Sequence, residues 1–227
     1  METFKLESAR GHVVFKKDEE YILVDTGSPS TFHKGTVGIT SAVVNFDMLE
    51  ANVGLPITTI MGCSDLVKQK VLIDMVSGEI SFGDDISLDG YVVPCIFKTV
   101  NMMGMELSCP FVEVSVNGKN VWMALDTGAP TSYAYRAIIE DSVQIGEKED
   151  FHFSIGTFNV PLYNLSLEFA GETKEVEFGV LPEALEKTFD LQFTMFGVEN
   201  VQGVFGGILF HNHKVLLDFA NDIIIVC

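Results

Sequence analysis

The sequence predicts an all-β fold of two related lobes with a few short helices. Three observations carry that expectation. Apolar residues make up 47% of the 227-residue chain, yet they come in short runs separated by Gly, Asn or Asp, which is the punctuation of strands and turns. Asn117-Gly118 lies between two such runs, and Asn-Gly supplies the positive φ that a two-residue hairpin turn requires. The later part of the chain also repeats the earlier part.

The repeat has three shared pieces. Tyr21-Ile22-Leu23-Val24 runs into Asp25-Thr26-Gly27, and Trp122-Met123-Ala124-Leu125 runs into Asp126-Thr127-Gly128. Each tripeptide is followed by a small residue and proline, Ser28-Pro29 and Ala129-Pro130. Ile60-Met61-Gly62 and Val204-Phe205-Gly206 then open stretches ending in Lys70-Val71-Leu72-Ile73-Asp74 and Lys214-Val215-Leu216-Leu217-Asp218. Glycine and aspartate are 12 residues apart in both. A unit of about a hundred residues is a duplicated domain, since solenoid repeats are shorter. The soft stretch from Gly83 to Gly104 places the boundary, giving lobes 1–90 and 91–227.

The elements follow in order. Residues 12–15 and 21–24 form a hairpin over Lys16-Lys17-Asp18-Glu19, and residues 111–116 and 121–125 form its copy. Each Asp-Thr-Gly lies in the loop after the second strand of its hairpin, where glycine permits a tight turn and close backbone approach. Residues 46–53 and 135–142 are short helix candidates. Residues 163–169 and 174–180 form a further hairpin over Ala170-Gly171-Glu172. Residues 71–74 with 80–82, and 215–219 with 223–226, close the two lobes.

Composition bounds the function. The formal net charge is −18, which disfavours nucleic acid as a partner because that binding rests on neutralising phosphates. Basic or neutral peptides suit such a surface better than acidic ones, although solubility alone explains the charge equally well. No apolar run reaches the roughly 18 residues of a membrane span. The N-terminus lacks a basic segment leading into an apolar one, and Cys63, Cys95, Cys109 and Cys227 show no paired spacing. The expectation is a reduced, cytoplasmic protein.

With Asp25-Thr26-Gly27-Ser28, Ile60-Met61-Gly62, Asp126-Thr127-Gly128-Ala129 and Val204-Phe205-Gly206, the chain resembles an aspartic peptidase of the pepsin/retropepsin superfamily. The segment 110–133 resembles retropepsins most closely, while residues 31–58 and 83–105 match nothing in the pattern. The resemblance implies a two-lobed β-barrel pseudo-dimer carrying both motifs in one chain, joined by a sheet to which residues 4–6 and 223–227 contribute. It also implies an endopeptidase acting on peptides or proteins as a monomer, with no cofactor, metal or membrane.

The chemistry follows from the pairing. Two carboxylates in contact cannot both ionise easily, so they titrate as a pair and supply an acid and a base at once. Asp25 and Asp126 would share those roles around a bridging water. By resemblance, Thr26 and Thr127 reach across to the opposite loop, and Gly27 and Gly128 offer backbone N–H groups. Ser28 can donate its hydroxyl to Asp25 while Ala129 cannot donate to Asp126, so the charge is expected on Asp25 and the proton on Asp126. Cys63 reads as a small buried residue, and Asp74 and Asp218 as strand ends or acceptors of backbone donors. His211 and His213 could share a strand face, but no third metal ligand is near them in sequence.

The halves differ in length. Asp25 and Gly62 are 37 residues apart, against 80 between Asp126 and Gly206. The excess predicts a flap in the second lobe, at residues 143–160, with Gly146 and Gly156 as pivots and Glu147-Lys148-Glu149-Asp150 as its polar tip. Phe151, Phe153 and Ile155 would then face substrate from the returning strand. A catalytically idle protein binding an extended peptide in the same cleft is the alternative, and a scaffold subunit using the fold for assembly is a third reading.

Overall fold

The computed structural model describes residues 1–36, 44–102, 104–139, 142–152, 156–210 and 212–227. Strands dominate it. In the first half, Val14–Lys17 and Glu20–Val24 form a hairpin, with Val14 opposite Leu23. Ile57–Met61 runs parallel to the second strand of that hairpin, placing Met61 beside Val24, and Phe32–His33 pairs antiparallel on its far side.

The second half repeats this local pattern. Met105–Val116 and Lys119–Leu125 form the hairpin, and Asn117 and Gly118 have φ of 50° and 74° at its turn. Val201–Phe205 runs parallel to Lys119–Leu125, placing Phe205 beside Leu125, and Tyr133–Ala134 pairs antiparallel on its far side. Three further strands extend this sheet in the order Glu172–Val180, Gly156–Phe169, Gln144–His152.

Six strands link the halves, in the order Glu2–Lys5, Glu79–Phe82, Val71–Asp74, Lys214–Asp218, Ile223–Val226, Tyr91–Met102. At the centre the two repeated Lys-to-Asp segments pair with each other, antiparallel, with Leu72 opposite Leu216. Tyr91–Met102 continues from this linking sheet into the second half, where it pairs with Met105–Val116. A 12-residue strand therefore occupies much of the stretch that Gly and Asp content marks as soft. Its start is held by the chain's last strand, a partner that sequence proximity does not reveal.

One apolar core crosses both halves, taking Phe15, Val24 and Ile73 from the first and Val112, Leu125 and Phe205 from the second. The helix Phe46–Val53 covers a smaller cluster around Leu23 and Ile60, and its N-cap Asn45 accepts the Met48 N–H. The helix Glu183–Met195 covers another cluster through Leu185 and Phe193. Among the described residues of the segment 135–142, the helix candidate forms a 3₁₀ turn, Arg136–Ile138, and no α-helix. Among the described residues, no helix is long and apolar enough to cross a membrane.

Candidate active site

Both Asp-Thr-Gly loops leave the end of a central strand that is flanked by a parallel neighbour. Asp25 N–H donates to the Met61 carbonyl and Asp126 N–H to the Phe205 carbonyl, each at 3.0 Å. The glycine after each neighbour strand is sterically required. A Cβ on Gly62 would lie 2.2 Å from the Ser30 carbonyl oxygen, and one on Gly206 would lie 2.4 Å from that of Ala129. Gly62 N–H donates to the Thr31 hydroxyl and Gly206 N–H to the Ser132 hydroxyl, so the loops are supported alike.

The two loops meet through their threonines. The Thr26 hydroxyl donates to the Leu125 carbonyl at 2.8 Å and accepts the Thr127 N–H at 2.9 Å. The Thr127 hydroxyl donates to the Val24 carbonyl at 2.7 Å and accepts the Thr26 N–H at 3.0 Å. Both threonines are buried, so these four bonds form where water does not compete. Cys63 is buried beside them, with its thiol donating to the Thr26 carbonyl and raised well above its usual pKa by burial.

The glycines bring the aspartates together. A Cβ on Gly27 would lie 2.4 Å from Cγ of Asp126, and one on Gly128 would lie 2.5 Å from Cγ of Asp25. Each carboxyl thus occupies the space that a side chain on the opposite glycine would fill. Ser28 N–H donates to Asp25 Oδ1 at 3.0 Å, and the Gly128 and Ala129 N–H groups donate to Asp126 Oδ1 at 2.9 and 3.0 Å.

Some surface of each aspartate stays open, but the carboxyls themselves lie deep enough for desolvation to govern them. Burial pushes Asp25 well above the ordinary carboxylate range, aided by the charge of Asp126 and a hydrogen bond shared with it, and opposed by the N–H groups of Ser28 and Gly27. Burial also raises Asp126, against the hydrogen bond to Asp25 and the N–H groups of Gly128, Ala129 and Gly27. Asp126 collects more donors, which favours its charged form within the pair. The expectation drawn from Ser28 loses its donor. The Ser28 hydroxyl donates to the Ser30 carbonyl at 2.8 Å, and only its backbone N–H serves Asp25.

The second half does project a hairpin, but its parts differ from those expected. Gln144–His152 goes out and Gly156–Phe169 returns, with His152 opposite Gly156. Glu147-Lys148-Glu149-Asp150 is therefore mid-strand and not a tip. Phe151 lies on the outgoing strand, on the face it shares with the exposed Glu147 and Glu149. The opposite face carries Gly146, Lys148, Asp150 and His152. Phe153 and Ile155 lie outside the described residues, as does part of the 31–58 interval. At the far end, a Cβ on Gly156 would lie 4.0 Å from Cε of Met48 in the first-half helix.

Residues absent from the motif reading also converge here. His12, from the first half, makes a 2.9 Å hydrogen bond through Nδ1 to the Gly128 carbonyl, and burial lowers its pKa. Tyr133 and Thr131 both donate to Asp150. They stand seven and five residues beyond Asp126, a proximity visible in sequence, but their partner Asp150 is a tertiary contact. Asp74 accepts the N–H groups of Val76 and Ser77, while Asp218 accepts from the side-chain amide of Asn221. Among the described residues no group of three or more His, Cys, Asp or Glu could hold a metal ion, and His211 lies outside them. Comparison with family models finds no match, and comparison with curated proteins finds no relative.

Proposed function

We propose that this chain is an aspartic endopeptidase of the pepsin/retropepsin type, its halves forming a β-barrel pseudo-dimer with the dyad completed within a single chain. The reciprocal fit of Gly27 against Asp126 and Gly128 against Asp25 carries this reading. It presses two buried carboxyls together, which is the arrangement that keeps one protonated and one charged at the same pH.

Peptide hydrolysis needs a stronger nucleophile than water and a better acceptor than an amide. Asp126, the charged partner, takes a proton from a water held between the carboxyls. Asp25, the protonated partner, donates to the scissile carbonyl oxygen. A gem-diol forms and no covalent adduct with the chain is required. Asp126 passes its proton to the amide nitrogen, Asp25 takes one back from a gem-diol hydroxyl, and the C–N bond breaks to release the amine and the acid. The threonine bonds hold both loops still, so little reorganisation accompanies the charge movement. No cofactor enters this scheme.

The deciding experiment is cleavage profiling of a peptide library across pH, with Asp25→Asn and Asp126→Asn as controls. Cleavage by the parent and none by either variant is expected. Tight binding of a pepstatin-type mimic without any cleavage would favour the second reading, an idle peptide binder. The Gln144–His152 strand ends the sheet order, and such an edge could add a peptide strand.

A further inference from the structure

We infer that Asp150 is a positioning residue, latching the hairpin of Gln144–His152 and Gly156–Phe169 to the segment that follows Asp126. The inference rests on the peptidase reading for its kinetic consequence, though not for the latch itself.

Asp150 sits on the protein-facing side of the outgoing strand, its side chain 13% exposed. A carboxylate that far from water requires donors. Three converge on it. The Thr131 hydroxyl donates to Oδ2 at 3.2 Å, the Tyr133 hydroxyl donates to the same oxygen, and the Lys148 ammonium stands 3.6 Å from it. Lys148 also donates to the Thr131 hydroxyl, closing the cluster.

The two ends of this latch differ in rigidity. Thr131 and Tyr133 are buried, and the Tyr133 backbone is paired on both sides, with Val204 and with Gly179. The hairpin is anchored in the sheet at its base, where Leu162 and Tyr163 pair with Gly179 and Phe178. Beyond that base, among the described residues, 146–152 pair only with residues 156–162 of the same hairpin. A two-stranded ribbon is marginal in water unless something else holds it. The returning strand is held by buried Val160 and the outgoing one by the contact of His152 with Phe189, and Asp150 adds a polar tie two residues before the outgoing strand ends.

The location links the latch to the dyad. The carboxylate of Asp150 is near enough to influence His12, whose ring bonds the Gly128 carbonyl. Tyr133 in turn feels the charge of Asp126. Past Asp150, the hairpin reaches Met48 of the first half, so its pose spans the two halves. Releasing Asp150 frees the arm that would cover a bound peptide.

Amide hydrogen exchange and peptide-cleavage kinetics on the full chain test this, using Asp150→Ala, Asp150→Asn and Tyr133→Phe. In Asp150→Ala, exchange across 144–162 should speed up about tenfold while Lys119–Leu125 stays protected. Its kcat/KM should fall about tenfold, with the pH profile of the dyad unchanged. Tyr133→Phe should move both readouts the same way. Asp150→Asn keeps an acceptor for the two hydroxyls and should restore most of the loss. Unchanged exchange in both Asp150→Ala and Tyr133→Phe would overturn the latch. Faster exchange with undiminished kcat/KM would overturn the positioning role. A parent protein that cleaves nothing would overturn the peptidase reading instead, and with it the kinetic role, while exchange alone would still decide the latch.

Discussion

Lys214 of the second repeat reaches Asp74 of the first at 2.8 Å, across the centre of the sheet that joins the halves. The converse pair, Lys70 with Asp218, closes at 3.3 Å. The same Lys-to-Asp segment occurs in both halves, and the two copies run antiparallel, so each lysine necessarily falls beside the other copy's aspartate. The recurrence visible in sequence is thus the inter-half contact itself.

This geometry predicts a pH-dependent stabilisation. Burial works to raise the Asp74 pKa, but the Lys214 bond and the Ser77 donors outweigh it and leave it lowered. A lowered folded-state pKa gives stability that is present above the unfolded value and lost as pH falls through the folded one. Asp74→Asn should therefore cost about 1 kcal/mol at pH 7, a modest figure because Lys214 is partly solvated. The difference from the parent should shrink below about pH 4 in urea titrations. A cost that stays constant with pH would refute the role of the charge.

The dyad predicts the opposite sign. Burial, then the neighbouring charge, raises the folded pKa of Asp25. An acid raised on folding is protonated more readily in the folded chain, so stability falls as pH climbs from the unfolded value toward the folded one. Asp25→Asn removes that loss. It should melt higher than the parent at pH 7, by an amount on the order of 1 kcal/mol, and alike near pH 4. A variant less stable than the parent at pH 7 would contradict a crowded carboxyl pair.

Thr127→Val is the direct test of the loop junction. It removes the donor to Val24 and the acceptor for the Thr26 N–H while keeping the volume. The stranded buried partners should cost about 2–4 kcal/mol in denaturant unfolding. Thr127→Ser keeps both bonds and should cost far less. Equal losses in the two variants would assign the effect to packing and not to the hydrogen bonds.

What sequence made legible and what it hid divide along physical lines. Asp25-Thr26-Gly27 and Asp126-Thr127-Gly128 carry their own turn chemistry, and their flanking strands form where the apolar runs stand. The helix Glu183–Met195 has Leu185, Phe189 and Phe193 four residues apart behind Pro182, a helix-face spacing that stands in the sequence and that the repeat, which has no counterpart to it, does not point to. The charged run Glu147-Lys148-Glu149-Asp150 reads as a solvated turn only because the groups that receive it, Thr131 and Tyr133, are distant in the chain. The Ser28 hydroxyl had two acceptors within reach of its loop, and local geometry chose Ser30 over Asp25.

That choice decides what Ser28→Ala does. Had the hydroxyl bonded Asp25, Ser28→Ala would raise the apparent pKa of the acid limb by removing a donor to the charged form. The hydroxyl instead ties the loop to the Ser30 carbonyl, and the donor to Asp25 is the Ser28 backbone N–H, which alanine retains. Ser28→Ala should leave the acid limb of the pH–rate profile in place. It should lower stability by about 1 kcal/mol, the usual net worth of one partly buried hydrogen bond. Asp25→Asn and Asp126→Asn should each abolish cleavage, and the double variant should lose little more, because the carboxyls act as one unit. A Ser28→Ala profile displaced toward higher pH would restore the hydroxyl as a donor to Asp25 and return the resting charge to that residue.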